Sequence, residues 1–312
     1  MKESLPLFYF KPTICWIDDD QMFLEAVKFN FREKYNCLSF NDPREAVEFL
    51  QSYESPLSNI SLKKEFTESD LYGANDHYPV DIDIPNIKSI INKADKSSEI
   101  AVLITDYYMP ELNGLEVCKQ LGSSPIKKIL LTGEASHEEA IEAFNQGLID
   151  KFVQKDLDVS IKLEDYIEDL INQYFYNKTS DIISHIEASR PSLLTDNTFI
   201  NFFNTWRKEH SIVEFCLVNK QGSFLVIDNL GKAVYFVAQS MSDKSEFLRL
   251  NDEIFENYNE LFHEVSEGKK IPFFGVGIES WDVEPDKWVD HFYTSQVISG
   301  RENYYWAVVN CK

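Results

Sequence analysis

Short apolar runs alternate with helical patterns over the first half of the chain. In each helical pattern the apolar residues recur three and four positions apart, as they do on one face of a helix. Strands that alternate with helices predict a doubly wound α/β domain with a five-stranded parallel sheet. The predicted strands are Thr13–Ile17, Cys37–Phe40, the run that ends at Asp106, Ile129–Leu131 and Ile149–Val153.

Two of the predicted helices begin at recognisable capping residues. Asp42 and Pro43 predict the start of the second helix, because Asp caps a helix and Pro suits its first turn. Ser136 and Glu139 have the spacing of a capping box at the start of the fourth helix. The fifth helix is predicted to continue as a polar linker helix over residues 177–195.

Residues 53–98 interrupt this alternation between the second helix and the third strand. They mix Ser, Asn, Asp and Pro with a short helical pattern at Ile87–Ile91. A long loop inside a compact domain is unusual and often functional, although surface loops also accept length at low cost. We expect the insertion at the amino ends of the strands, either as a tolerated surface insertion or as a functional segment.

The second half has a different order of elements. It opens with a Phe-rich helix, followed by three strands whose turns contain Gly222 and Gly231. A long amphipathic helix is then predicted over Ser242–Ser266, before three further strands. This order predicts an α+β domain with a mostly antiparallel sheet. The predicted domains are 1–176, a linker helix at 177–195, and 196–312.

The functional candidates of the first half come directly at the ends of its strands. Asp18 and Asp19 follow the first strand, Asp106 ends the third, and Thr132 and Lys155 follow the fourth and fifth. Carboxyl ends of parallel strands share one edge of the sheet, so these groups are predicted to meet there. Clustered carboxylates repel unless a cation neutralises them, and Mg²⁺ prefers such oxygen ligands. The set predicts magnesium-assisted transfer of a phosphoryl group to Asp106.

Each candidate also has an ordinary structural explanation. An Asp triplet after a strand can be a helix-capping turn, Thr132 a turn hydroxyl, and Lys155 a solvated charge. Their occurrence together, in order and each at a strand end, favours the functional interpretation.

Acidic residues outnumber basic residues in both halves of the chain. Residues 1–176 contain 17 Lys and Arg against 32 Asp and Glu, and residues 177–312 contain 13 against 20. Neither half has the basic excess that binding to DNA phosphates requires, so we expect no nucleic-acid partner. The sequence has no membrane-length apolar run, no secretory signal pattern and no metal-ligand spacing among its five cysteines. We expect a cytoplasmic protein with reduced thiols and no membrane segment.

Four segments resemble the receiver domain of two-component response regulators. They are IDDDQ, TDYYMPELNGLE, LLTGEA and FVQKD, and the resemblance covers about residues 10–176. The segment around Asp106 is the most specific, because Met109-Pro110 and Gly114 fall where the family has them. The resemblance implies a flavodoxin-like receiver in which Asp106 is the phosphoacceptor. The implied Mg²⁺ ligands are Asp18, Asp19, Asp106 and the backbone carbonyl of Tyr108.

The resemblance also implies the parts of a conformational switch. Thr132 and Lys155 would follow the phosphoryl oxygens, and Phe152 would fill the space that Thr132 vacates. Tyr108 and Glu134 occupy positions that line the path of the hydrolytic water in receivers. The implied donor is a histidine kinase or a phosphotransfer protein. The implied response uses the face of the fourth helix, the fifth strand and the fifth helix. This face could drive either homodimer formation, which is favoured, or release of the second domain.

Two classes of function stay open for the second half. It has no legible DNA-binding or enzyme signature, so a domain that binds a downstream protein is favoured. On this interpretation the only chemistry expected of the chain is phosphorylation and dephosphorylation of Asp106. The alternative is an output enzyme or a small-ligand sensor with a pocket among the aromatic residues.

Overall fold

The chain forms two compact units in a computed structural model that describes residues 5–58, 83–133, 137–155, 159–189 and 193–311. The first unit consists of the described residues between 10 and 58 and between 93 and 177. The second unit consists of residues 5–9, 83–92 and the described residues from 178 onward. Within these residues, strands are numbered β1–β13 and helices α1–α10 in chain order.

The first unit is built on a five-stranded parallel sheet with the order β3-β2-β4-β5-β6. Neighbouring strands are in register up to one edge, where Ile17 pairs with Thr105 and Asp106 pairs with Leu131. This sheet confirms the predicted doubly wound α/β fold. The strands are β2 (Thr13–Ile17), β3 (Asn36–Phe40), β4 (Ile100–Asp106), β5 (Lys127–Thr132) and β6 (Lys151–Gln154).

Side-chain alternation along β2 distributes its residues between the two faces of the sheet. Cys15 and Ile17 join an apolar cluster with residues of α2 and α4, whereas the Trp16 ring lies 5.4 Å from the Phe31 ring of α1. Helices therefore cover both faces. They are α1 (Gln21–Phe31), α2 (Pro43–Ser52), α4 (Gly114–Gln120), α5 (His137–Asn145) and α6 (Val159–Ser189), the last of which continues into the second unit.

Local capping residues explain several of these helix starts. Asp42 accepts a hydrogen bond from the Arg44 amide, as the sequence predicts for α2. Asn113 and Glu116 form a reciprocal capping box that begins α4. The capping box predicted at Ser136 lies partly outside the described residues.

The insertion at 53–98 is not a separate surface loop over its described part. Residues 53–58 stay in the first unit, where Ser55 donates to the Glu99 carboxylate at the amino end of β4. Helix α3 (Ile84–Asn92) instead belongs to the second unit and packs against β7 (Ile212–Leu217). Its buried residues Ile87 and Ile90 make it part of the core, so the domain boundaries differ from the contiguous 1–176 predicted.

The amino terminus also belongs to the second unit, which the sequence did not indicate. Strand β1 (Phe8–Tyr9) pairs antiparallel with β7. The Tyr9 ring stacks 5.7 Å from Phe215, and the Arg207 guanidinium lies 4.7 Å from the Tyr9 ring centroid. Two residues are too few for a strand pattern, so only the tertiary contacts define β1.

The second unit contains a six-stranded antiparallel sheet with the order β1-β7-β8-β9-β13-β12 and a separate β10-β11 pair. This sheet confirms the predicted α+β class. The strands beyond β7 are β8 (Phe224–Asp228), β9 (Ala233–Ser240), β10 (Lys270–Pro272), β11 (Phe292–Thr294), β12 (Gln296–Ser299) and β13 (Asn303–Asn310).

Helix α7 (Asn197–Glu209) covers one face of this sheet. Its Phe203 ring lies 4.9 Å from Phe224 and 5.1 Å from Phe236. The other face carries Val237, Tyr305 and their neighbours, which pack with residues of the β10-β11 pair. Many aromatic residues of the second half therefore belong to the core of this sheet, whereas others, among them Phe255, Trp288 and Phe292, form a separate apolar cluster.

The single long helix predicted over Ser242–Ser266 is wrong. The chain forms three helices, α8 (Met241–Leu250), α9 (Asp252–Phe255) and α10 (Asn259–Ser266). The break occurs at Asn251, whose side chain donates to the Phe247 carbonyl and accepts from Ser280. Both bonds satisfy polar groups at the helix end, which a periodic apolar pattern does not reveal. Among the described helices, none has the length and apolar character required to cross a bilayer.

Asp196 joins the start of α7 to the turn before β13. Its carboxylate accepts hydrogen bonds from the Thr198 amide, the Arg301 amide and the Tyr304 hydroxyl. Burial alone would raise the pKa of Asp196, but these hydrogen bonds outweigh burial and hold the pKa below its usual value. The carboxylate therefore stabilises the fold above the unfolded-state pKa of about 3.9, and this contribution is lost as the pH falls through the lower folded-state pKa.

We predict that Asp196→Asn lowers the free energy of unfolding by about 1–3 kcal/mol at pH 7, because an amide group would face two donors. The difference from wild type should shrink as the pH falls below about 3.9. Urea titration of the second unit's transition measures both effects. Asp42→Asn is the matched control, since Asn caps a helix as well as Asp does. Equal losses in the two variants would contradict the prediction.

Candidate functional site

The Asp triplet after β2 divides into three environments. Asp18 is 1% exposed and accepts a hydrogen bond from the Asp20 amide, whereas Asp19 is exposed. Asp20 caps α1 by accepting from the Met22 and Phe23 amides. Capping of α1 therefore explains Asp20 but neither Asp18 nor Asp19.

Asp106 is the last residue of β4 and is 8% exposed. The next residue extends the β4-β5 pairing, because the Tyr107 amide donates to the Leu131 carbonyl at 2.8 Å. The Gly114 amide then closes the loop onto the Tyr107 carbonyl. A Cβ on Gly114 would lie 2.2 Å from the Asp106 carbonyl oxygen, so this close approach of backbone to backbone requires glycine.

Lys155 connects the two buried carboxylates. Its Nζ lies 2.6 Å from Asp18 Oδ2 and 3.1 Å from Asp106 Oδ1. Its backbone amide donates to the Thr132 carbonyl at 3.0 Å, which fixes the start of the lysine side chain at the same edge. The lysine is therefore a paired cation in this structure.

The electrostatics of the three groups are interdependent. Burial raises the pKa of Asp18 and of Asp106, and hydrogen bonding and charge attraction from Lys155 oppose that rise. Burial lowers the pKa of Lys155, but the two carboxylates outweigh it and the pKa lies above its usual value. Lys155 thus stays protonated, whereas the carboxylates have more negative charge nearby than one ammonium neutralises.

Thr132, the last residue of β5, is fully buried. Its Oγ1 has no hydrogen-bond partner among the described residues. A buried hydroxyl without a partner is unfavourable, and a ligand oxygen at the sheet edge would satisfy it.

The carboxylates of Asp18, Asp19 and Asp106 form a group suited to a hard cation. One oxygen from each lies within 4.8 Å of the others. Oxygen-only ligands of this kind, two of them buried, fit Mg²⁺. The Thr132 hydroxyl, which has no partner among the described residues, could donate to an anionic ligand at the same edge of the sheet.

The predicted switch and rate positions occupy different environments. Phe152 is partly buried beside the apolar cluster under α5, and its ring lies 6.3 Å from Phe144. Tyr108 is 56% exposed and its ring packs edge-on against Tyr107, with centroids 4.7 Å apart. Glu134 lies outside the described residues.

Two contacts at the site were not found by sequence reasoning. The Lys155 ammonium lies 4.6 Å from the centroid of the Phe23 ring, which covers it from α1. The Tyr107 hydroxyl donates to the Glu139 carboxylate of α5, which raises the pKa of Tyr107 to about 12. Glu139 was predicted as part of a capping box, a local role that hid its contact with a residue 32 positions earlier.

Comparisons with known proteins agree with this geometry. Residues 71–167 match the family model of the response regulator receiver domain, a range that includes Asp106, Thr132 and Lys155. No curated protein sequence matches the chain.

Among solved structures, the chain is similar to the Legionella pneumophila response regulator LqsR, with a TM-score of 0.79 and 27% identity over 100% of this chain and 91% of that one. A response regulator receiver domain protein from Clostridium thermocellum is 20% identical, with a TM-score of 0.32 over 54% of this chain and 97% of that one. Full-length FixJ from B. japonicum is 19% identical, with a TM-score of 0.39 over 57% and 67%. The family-model match over residues 71–167, together with the similarity to LqsR, identifies a response regulator receiver domain in this chain.

Proposed function

We propose that the chain is a response regulator that accepts a phosphoryl group on Asp106 and passes a conformational change to its second unit. The observation that carries this proposal is the Lys155 ammonium bound to both Asp18 and Asp106 beside an unpartnered Thr132 hydroxyl. Receiver domains take part in two-component signalling, which supports a regulatory role for the chain.

Asp106 is the nucleophile in the proposed chemistry. An Oδ atom attacks the phosphorus of a phosphohistidine on a histidine kinase or phosphotransfer protein, and the bond from phosphorus to the imidazole nitrogen breaks. The imidazole leaves and takes up a proton, and an acyl phosphate remains on Asp106. Bound Mg²⁺, held by Asp18, Asp19, Asp106 and the Tyr108 carbonyl, would neutralise charge on the transferred group.

After this transfer Lys155 would change its hydrogen-bond partner, and the Thr132 hydroxyl would gain one. The new group adds about −1.5 to −2 charges and three acceptor oxygens near Asp106. Lys155 can turn from Asp18 to one oxygen, and Thr132 can donate its unused hydroxyl to another. Movement of Thr132 leaves space for Phe152, which already contacts the apolar cluster under α5.

The surface of α5, β6 and α6 is the proposed output face of the receiver. These elements correspond to the fourth helix, fifth strand and fifth helix of the sequence prediction. Ile141 and Phe144 on α5 are 41% and 47% exposed, and Phe144 contacts Phe152 edge-on. Inward movement of Phe152 would change this apolar surface, and we propose that it forms a homodimer interface.

The second unit is proposed to act through a downstream protein rather than nucleic acid. Its sequence has 20 acidic residues against 13 basic residues from 177 onward, which opposes binding to a phosphate backbone. The proposal of an output enzyme or ligand sensor remains as the second candidate, since this unit contains a cavity lined by aromatic and polar residues.

The first prediction concerns the phosphoacceptor. Wild-type protein incubated with a small acyl-phosphate donor and Mg²⁺ should gain the mass of one phosphoryl group, and chelation of Mg²⁺ should prevent the gain. Asp106→Asn should gain none, because an amide is not a competent nucleophile. Asp42→Asn is the control and should react as wild type does. A full gain of mass in Asp106→Asn would refute the assignment.

The second prediction concerns the lifetime of the acyl phosphate. Tyr108 follows Asp106 by two residues, and its bulky side chain should hinder in-line attack by water. Tyr108→Ala should therefore speed hydrolysis by about tenfold, equivalent to about 1.4 kcal/mol in the barrier. The decay of phosphorylated protein measures the rate, with Phe29→Ala, an exposed aromatic residue on α1, as control. Unchanged decay in Tyr108→Ala would show that the steric argument fails.

The third prediction concerns dimer formation. Phosphorylated wild-type protein should have twice the mass of the unphosphorylated form by light scattering. Phe144→Ser should reduce this change, because it removes an apolar side chain from the proposed interface. Met22→Ser, which removes a 79% exposed side chain from α1, should not. Phosphorylation-dependent doubling that persists in Phe144→Ser would exclude this face.

A further inference from the structure

A cavity of about 450 Å³ lies within the second unit, on the sheet face opposite α7. Its floor is the carboxyl end of β9, one wall is α8, and the 272–281 segment closes it from above. The size is within the range of pockets that hold small organic ligands.

Hydrogen bonds hold the walls in place without a ligand. Ser280 of the covering segment donates to Asn251 at the end of α8, and Asn251 donates to the Phe247 carbonyl. On the opposite side, the Asn219 side chain accepts from the Gly222 and Ser223 amides. The cavity is therefore preformed, which lowers the entropic cost of binding.

Gln239 supplies an unsatisfied polar group to the floor. The residue is 6% exposed, and its Nε2 has no hydrogen-bond partner among the described residues. A buried amide without a partner destabilises the protein, so an apolar residue at this position would suit the empty fold better. The terminal torsion of Gln is broad, and a rotation of the amide would turn its N–H group toward a ligand acceptor.

The charges around the cavity are all of one sign in the described structure. Asp243, Glu246 and Glu279 line it, and no Lys, Arg or His is among its lining residues. Phe247, Phe274 and Trp281 add aromatic surface, and Trp281 is 73% exposed at the rim. Carboxylates with aromatic faces favour an organic cation and disfavour a phosphate or carboxylate ligand.

We propose that this cavity binds a small organic amine that carries an apolar or aromatic body and a hydrogen-bond acceptor. The ammonium would lie near Glu246, the body against Phe247 and Trp281, and the acceptor near the Gln239 amide. Binding here would make the second unit a ligand sensor as well as the output of the receiver. The proposal does not rest on phosphorylation of Asp106, so its test and that of Asp106 succeed or fail separately.

Three probes of one skeleton and different charge test the proposal on the full-length protein. They are phenylalaninol, a cation with a hydroxyl, the neutral 3-phenylpropanamide, and the anion 3-phenylpropanoate. Titration followed by tryptophan fluorescence and ligand-observed NMR should give a dissociation constant for phenylalaninol of the order of 1 mM, as expected for a fragment. The amide should bind more weakly, and the anion should not saturate.

Variants assign the binding to the cavity. Glu246→Gln should weaken the binding of phenylalaninol about fivefold and leave the binding of 3-phenylpropanamide unchanged. Glu253→Gln, a matched change on α9 outside the cavity, should alter neither. Gln239→Leu should weaken the binding of both probes, because it removes the amide donor. It should also raise the Tm of the protein by about 2 °C, because it removes an unsatisfied buried N–H group.

Three results would overturn the proposal. Binding of 3-phenylpropanoate that is as tight as that of phenylalaninol, or tighter, would refute the assignment of the ligand as a cation. The absence of saturable binding by phenylalaninol up to tens of millimolar would refute the proposal that the cavity binds an amine. A lower Tm in Gln239→Leu would mean that the amide has a structural partner and does not await a ligand.

Discussion

The site depends on one constraint, that two buried carboxylates from separate strands come together with a single ammonium between them. Asp18 and Asp106 would repel each other, and Lys155 offsets this with hydrogen bonds of 2.6 and 3.1 Å. Removal of one member of such a buried pair typically costs about 3–5 kcal/mol. Because the lysine balances only part of the negative charge, the cluster can also attract a cation, and a phosphoryl group can compete for the lysine.

Most of the receiver could be predicted because short segments of the sequence mark its strands and the site residues at their ends. Each strand is a short apolar run, and each candidate group stands at or just after the end of one, so the parallel sheet alone brings Asp18, Asp106 and Lys155 together. The remaining contacts required the folded chain. Nothing near Glu139 in sequence indicates that it accepts from Tyr107, and the Phe23 ring over Lys155 looks like an ordinary apolar position of α1.

The fold class of the second unit could be predicted from the sequence, but the set of segments that form the unit could not. Strand and turn patterns gave the antiparallel sheet, whereas β1 has two residues and α3 lies inside a polar insertion. The break at Asn251 depends on Ser280, 29 residues away. The unpaired amide of Gln239 is likewise a property of its neighbours, because the residue sits in an otherwise apolar strand and pairs normally through its backbone with Tyr305.

The segments that join the two units along the chain lie next to the elements that position the site residues. Strand β2, which ends beside Asp18, begins four residues after β1, and β4, which ends at Asp106, follows α3 by a short segment. Helix α6 begins soon after Lys155 and continues into the second unit. Strands β2 and β4 are thus covalently close to elements of the second unit, and Lys155 is joined to that unit through α6. A fragment from residue 178 onward would lack β1 and α3, both of which contact β7, so it would lack part of the second unit.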